Sequence, residues 1–215
     1  VGSIDNVSVK EQTESVPKKV QNLPSGASKK SMSFDGTDDF VDLGPSDQLI
    51  TGTDVTVSMW FKIGDTSSGV ERIFVSNRDG GGTNLRFAPR TGGELEVGYY
   101  NGSGLSYTIS PDAVDDNLWH HAAFTTTSSA QVLYIDGSAV TTTSNTFQNA
   151  ASSTVATTVG AHITSSVYSD VDIDEVAIWS EALDGDAVKA LYNAGEPTPV
   201  ATNTGAYDIY RDNLQ

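Results

Sequence analysis

The chain has 215 residues, 28 acidic against 12 basic side chains, a net charge of −16, a pI of about 4.2 and no cysteine. That length suits one sizeable β domain, or a smaller domain with appendages, and can bury a substantial core. The charge repels nucleic-acid phosphates and anionic membranes, and the absence of thiols excludes disulfides and Cys-based zinc sites.

No apolar run approaches 18 residues, so no membrane-spanning helix is expected. The charge is uneven: residues 1–30 hold five Lys against three acids, and the rest holds seven basic against 25 acidic groups. Such a body suits divalent cations, neutral glycans or salty surroundings, and its Ser/Thr/Gly-rich composition leans towards a microbial or viral exterior protein. The opening VGSIDNVSVKEQ has neither the charged nor the apolar region of a signal peptide. A start without Met is expected of a processed product or of a piece of a longer chain.

In chain order, residues 1–11 read as an isolated strand with Ile4, Val7 and Val9 among polar residues. Residues 12–30, with Pro17, Pro24, Gly26 and four Lys, have the composition of a linker. A domain begins at Ser31: strand residues Met32 and Phe34, a turn at Asp35–Gly36, and a strand over 40–43. Residues 54–63, DVTVSMWFKI, alternate so regularly that they make the strongest strand signal. A strand over 72–76 precedes 77–83, NRDGGGT, which reads as an irregular glycine-rich loop. Strands follow over 85–88, 94–100, 105–109 and 119–125, with hairpin signals at Gly92–Gly93 and 101–104. Asp136–Gly137 joins strands 131–135 and 139–143 in a tight hairpin, and strands 154–160 and 171–179 complete the series. One helix is expected over 184–193, with Asp184 as N-cap, Val188, Leu191 and Tyr192 on its apolar face, and Gly195 and Pro197 ending it. Residues 196–215 again read as a linker or arm.

Many short strands joined by turn chemistry predict an all-β, two-sheet antiparallel sandwich of jelly-roll type with one short C-terminal helix. The order of motifs SMSFDGTDDFVDLG, VTVSMWFKI, LWHHAAFTT, VLYIDGSAV and VDIDEVAIWSEALDGDAVKALYNAG resembles the laminin G-like family of concanavalin A-like jelly rolls over residues 31–195. The resemblance implies two sheets packed face to face, a helix against the sandwich after the last strand, and a role in binding glycan or protein beside a calcium ion. A second resemblance, of GSIDNVSVKE to the closing strand of carbohydrate-binding jelly rolls, assigns residues 1–11 to a preceding module or an N-terminal arm.

The acidic strand carries most of the functional question. Asp170, Asp172 and Asp174 alternate, which places them on one face about 6.6 Å apart in succession. Jelly-roll glycoside hydrolases carry E-x-D-x-E on such a strand, but here Glu175 is out of phase and no Glu stands at the needed positions. An Asp in place of Glu would misplace the reacting oxygen by more than about an ångström, so catalysis is not expected. Calcium, which takes six to eight oxygen ligands, suits the turn acids Asp35, Asp38 and Asp39, with Asp172 or Asp174 approaching from the neighbouring last strand. The alternative is that these acids face only water. Asn77 and Asp79 make a weaker second cation loop.

Trp60, Trp119 and Trp179 fall where packing is expected, and the adjacent His120 and His121 face opposite sides of a strand and cannot share a metal. Asn6 and Asn101 begin N-x-S sequons. Glycan contact is expected from Tyr99, Tyr100, Tyr107 and Tyr168, with Arg86, Arg90 and Asn101 nearby; hairpin packing of the same aromatics is the equal alternative. The functional expectation is a non-enzymatic binding or adhesion module of an extracellular, virion or cell-surface protein. It would contact a cell-surface or extracellular glycan, hold a structural calcium, and bind neither nucleic acid nor membrane. The rival is a structural building block whose arms contact other virion or surface-protein subunits without binding glycan.

Overall fold

The computed structural model describes residues 3–5, 8–11, 30–45, 52–69, 72–79, 82–100, 105–143, 156–162, 166–192 and 207–208. Two antiparallel sheets enclose the core. One runs β1 (Ser3–Asp5), β4 (Phe40–Pro45), β13 (Ala156–Val159), β6 (Val75–Asp79), β7 (Gly82–Pro89), β8 (Glu94–Tyr100), β9 (Leu105–Ala113). The other runs β12 (Ser138–Thr143), β11 (Gln131–Ile135), β10 (Trp119–Thr126), β5 (Val55–Lys62), β16 (Asp170–Trp179), β3 (Lys30–Asp35), β2 (Ser8–Glu11), with β17 (Tyr207–Asp208) beside β16. A small separate ladder joins β14 (Ala161–His162) and β15 (Val167–Tyr168). This is the expected jelly-roll sandwich.

The period-2 pattern decides what each strand contributes. On β5, Val55, Val57, Met59 and Phe61 enter the core with Phe34, Phe124, Val171 and Ile173 of the same sheet and with Phe74 and Phe87 from the facing side. The other face of β5 is also buried, because the segment after β16 and the helix α1 (Gly185–Tyr192) lie across it. Thr56 fixes that segment: its Oγ1 donates to the Glu181 carbonyl at 2.8 Å and accepts the Leu183 N–H at 2.9 Å. Trp60 stacks on Tyr192 of the helix at 5.6 Å between ring centres. All three Trp are buried: Trp60, Trp119 and Trp179.

Helix α1 begins as its sequence requires. Asp184 Oδ1 accepts the Ala187 N–H at 2.8 Å, satisfying one of the donors that a helix start leaves unpaired. Val188 is buried against Ala123 and Tyr134. Asp184→Ala should therefore lower stability by about 1 kcal/mol, measurable by urea unfolding; an unchanged midpoint would mean the cap contributes nothing.

Three features of the described residues differ from what the sequence pattern alone predicts. Residues 77–83 are not an irregular loop: β6 and β7 pair Arg78 with Thr83 and Asp79 with Gly82, making a hairpin whose two tip residues lie outside the described set. Residues 1–11 contain two strands in place of one, β1 on the edge of one sheet and β2 on the edge of the other. The third departure is in β16, where Asp174 pairs with Trp60 but Ala177 pairs with Ser58. Three steps on one strand match two on its partner, so β16 carries a one-residue bulge. Glu175, with φ of 48°, sits in it and is buried. Val171 and Ile173 point into the core before the bulge, and Val176 and Ile178 after it.

Candidate functional site

The outer face of the seven-stranded sheet is built by register. Leu85, Phe87, Leu95 and Val97 point into the core, so their neighbours Arg86, Glu96 and Gly98 point outward. Across the ladders Arg86 pairs with Gly98, and Gly98 with Tyr107, placing the three in one row. A Cβ added at Gly98 would lie 3.1 Å from the Tyr107 ring, so the ring lies across the glycine. Tyr107 is 45% exposed, which among the described residues makes it one of two exposed large hydrophobic side chains, with Leu118. Glu96 stands in the next row and holds both arginines: its Oε1 is 2.5 Å from Arg86 Nη2 and its Oε2 is 3.9 Å from Arg90 Nε. The result is an open aromatic face beside a planar, charge-paired guanidinium. Such a surface can take the C–H face of a sugar ring on the tyrosine while Arg86 and Glu96 meet hydroxyl groups.

Of the remaining aromatics expected at a glycan site, Tyr99 and Tyr100 follow Gly98 directly on β8, and Tyr168 lies elsewhere. Tyr99 lies on β8 paired with Leu85 and Ser106, and Tyr100 paired with Leu105; Asn101 lies outside the described residues. Tyr168 is not with Tyr107. It packs near Phe40 at 6.4 Å, and β4 and β9 stand at nearly opposite ends of the strand order. Glu96 and Gly98 were not singled out from sequence, although the alternation L-E-V-G in β8 puts them on one face.

The acidic turn is a separate place. Carboxylate oxygens of Asp35, Asp38 and Asp39 lie within 4.8 Å of one another. The turn is held by its own side chains: Asp35 Oδ1 accepts the Thr37 N–H at 2.8 Å, and the buried Asp39 accepts the Asp35 N–H at 3.2 Å. Gly36 adopts φ of 79°, and a Cβ there would come within 3.3 Å of the Asp170 nitrogen. An all-oxygen, three-carboxylate set fits a hard cation such as calcium better than zinc or copper.

The last strand meets this turn through Asp170, which pairs with Asp35. Asp172 is two residues further along, opposite Ser33 and Lys62, with its Oδ2 3.8 Å from Lys62 Nζ. Asp174 is buried, and its Oδ1 accepts the Glu175 N–H at 2.9 Å inside the bulge. Neither Asp172 nor Asp174 is part of the three-Asp group. Strand register is the physical reason: it sets Asp170 opposite Asp35, which leaves Asp172 and Asp174 two and four residues further along β16.

Comparison with known proteins agrees with this architecture. Residues 35–189 match the laminin G-like family model described as the Concanavalin A-like lectin/glucanases superfamily. The chain belongs to this superfamily. No curated protein matches it in sequence. Among solved structures of this fold, the binding domain of Paraclostridial Mosquitocidal Protein 1 aligns with a TM-score of 0.61 at 16% identity, covering 88% of this chain and 48% of that one. The receptor binding domain of botulinum neurotoxin C/D mosaic serotype gives 0.62 at 15% identity over 87% of this chain and 46% of that one. A heptameric SAP-like pentraxin from Limulus polyphemus gives 0.59 at 16% identity, covering 83% of this chain and 91% of that one. The chain thus spans about half the length of the toxin domains it matches. Among the described residues no helix is long and apolar enough to cross a membrane.

Proposed function

We propose that the chain is a non-catalytic binding module of an exterior protein, holding a glycan on the outer face of β7, β8 and β9. The observation that carries this reading is the Tyr107 ring lying open across Gly98 beside the Arg86–Glu96 pair. An exposed tyrosine offers an apolar ring and a polar hydroxyl together, the combination that binding surfaces favour. The superfamily and the toxin binding domains and pentraxin of the same fold support a binding role in coarser terms. A non-catalytic role is supported by the state of the acidic strand. Glycoside hydrolysis uses two accessible carboxyl groups flanking the scissile bond, whereas Asp174 is buried in a bulge and Asp172 faces Lys62.

Tyr107→Ala tests the reading. The labelled wild-type domain should be retained by a subset of glycans on an array, and the variant should lose that retention by roughly tenfold or more in affinity, as expected for about 1.4 kcal/mol or more of lost contact. No retention of the wild type, or equal retention of both, would contradict it.

The same proposal places a structural calcium at Asp35, Asp38 and Asp39, where the ion would tie the β3–β4 turn to the start of β16. Millimolar calcium should then raise the wild-type Tm by roughly 5–10 °C if it exceeds the Kd about a hundredfold. The rise should vanish in Asp38→Asn, which removes an exposed ligand without touching the core. A Tm that ignores calcium, or an undiminished rise in the variant, would remove the ion from the account.

A further inference from the structure

A cleft of about 400 Å³ lies on the other sheet, away from the β7–β9 face. It opens at Lys62 and Asp172, two residues along β5 and β16 from the paired Trp60 and Asp174. Lys62, Asp65, Arg72, Asn117, Asp170 and Asp172 line it, drawn from four separate stretches of chain that the fold brings together. Its size falls among ordinary small-molecule pockets.

Two geometric features show what chemistry would fit. Lys62 Nζ and Asp172 Oδ2 stand 3.8 Å apart, beyond the roughly 2.7–3.2 Å of a direct hydrogen bond. A hydroxyl entering between them could accept from the ammonium and donate to the carboxylate. Second, Arg72 Nε and Nη1 are buried with no hydrogen-bond acceptor. Buried donors left unmade are costly; these two have no accessible surface, so a ligand's contact with Arg72 is made by the part of the side chain that lines the cleft.

The charge of the lining narrows the class further. An anionic ligand would meet three carboxylates, from Asp65, Asp170 and Asp172, inside a strongly acidic protein. An amine would meet those carboxylates but also the like charges of Lys62 and Arg72. A neutral polyol suits both signs at once, because each hydroxyl donates one hydrogen bond and accepts others. We propose that this cleft holds a neutral saccharide unit, as a subsite distinct from the Tyr107 face. The proposal rests on the glycan-binding reading above and extends it to a second contact on the opposite sheet.

Amide ¹H–¹⁵N shifts of the full chain, titrated with the methyl glycosides of glucose, galactose and mannose, test it. Inorganic phosphate and methylamine serve as charged controls. At least one glycoside should move the amides of Lys62, Asp65, Asn117 and residues 170–172. Arg72→Met and Asp172→Asn should each weaken that response roughly tenfold, with the rest of the spectrum unchanged as the check on folding. Shifts confined to β7–β9 would overturn the cleft and leave the glycan reading standing. A response of the cleft to phosphate or methylamine in place of sugar would overturn its neutral ligand. No sugar response anywhere, together with no retention on the array, would remove both.

Discussion

Trp60→Ala should destabilise the domain by about 3–5 kcal/mol, the usual cost of emptying the site of a large buried aromatic, and should loosen helix α1 from the sheet. Trp60 is 2% exposed and stands at the middle of the layer between β5 and the helix. Its ring stacks on Tyr192 at 5.6 Å and lies 5.4 Å from His121, its cross-strand partner on β10. On the remaining side it pairs with Asp174, where β16 bulges. Leu191 packs with Trp179 and Ala177 on the same outer face, so the helix rests on a strip of β5, β10 and β16 whose largest members are Trp60 and Trp179. Trp60→Phe keeps a ring for Tyr192 and should cost less than half as much. Urea unfolding measures both, and a loss below about 1 kcal/mol in the Ala variant would show that the helix does not depend on this contact.

Acid should unfold the domain through the neighbouring histidine. His121 is fully buried, and burial, opposed only by the charge of Asp136, pushes its pKa down to about 4 from the ordinary 6.5. The native state holds it neutral while the unfolded chain takes up a proton. Its contribution is therefore complete above pH 6.5 and is lost as the pH falls through about 4, amounting to about 3 kcal/mol over that span. His120 behaves in the opposite sense. Burial lowers its pKa, but Asp136 at 3.0 Å and Asp116 at 3.2 Å outweigh that and leave it raised. What His120 adds is complete below pH 6.5 and fades as the pH rises through its folded pKa. Urea unfolding at pH 7 and pH 4 should show the loss in the wild type and a smaller one in His121→Phe, which keeps an aromatic ring beside Trp60 and Tyr192. Equal losses in both proteins would assign acid lability to the carboxylates instead. In Trp60→Ala, water reaching His121 should move its pKa back up towards 6.5.

Much of this fold is written in local chemistry. The Asp136–Gly137 turn was legible because a two-residue hairpin loop needs positive φ at both positions, and they have 49° and 73°. The alternation of β5 and the Asp184 cap were equally direct. The bulge was harder, because a single extra residue leaves composition unchanged. Its trace is a switch of the core set from Val171 and Ile173 to Val176 and Ile178, odd positions to even. The 77–83 stretch was misjudged because glycines lower strand propensity, yet Asp79 and Gly82 can close a two-residue hairpin. At the candidate site, residue type was enough to single out Arg86 and Tyr107. What makes them neighbours is Gly98 between them and Glu96 beside them, and that depends on inter-strand register, which no local pattern specifies. Register likewise decides that Asp170, and not Asp172 or Asp174, stands beside Asp35.

Hydrogen exchange of the wild-type domain, with and without a glycan retained on the array, tests the central claim most directly. Bound glycan is predicted to slow exchange at the amides around Arg86, Glu96, Gly98 and Tyr107, and the protection should be absent in Tyr107→Ala. Protection elsewhere with β7, β8 and β9 unchanged would contradict the account.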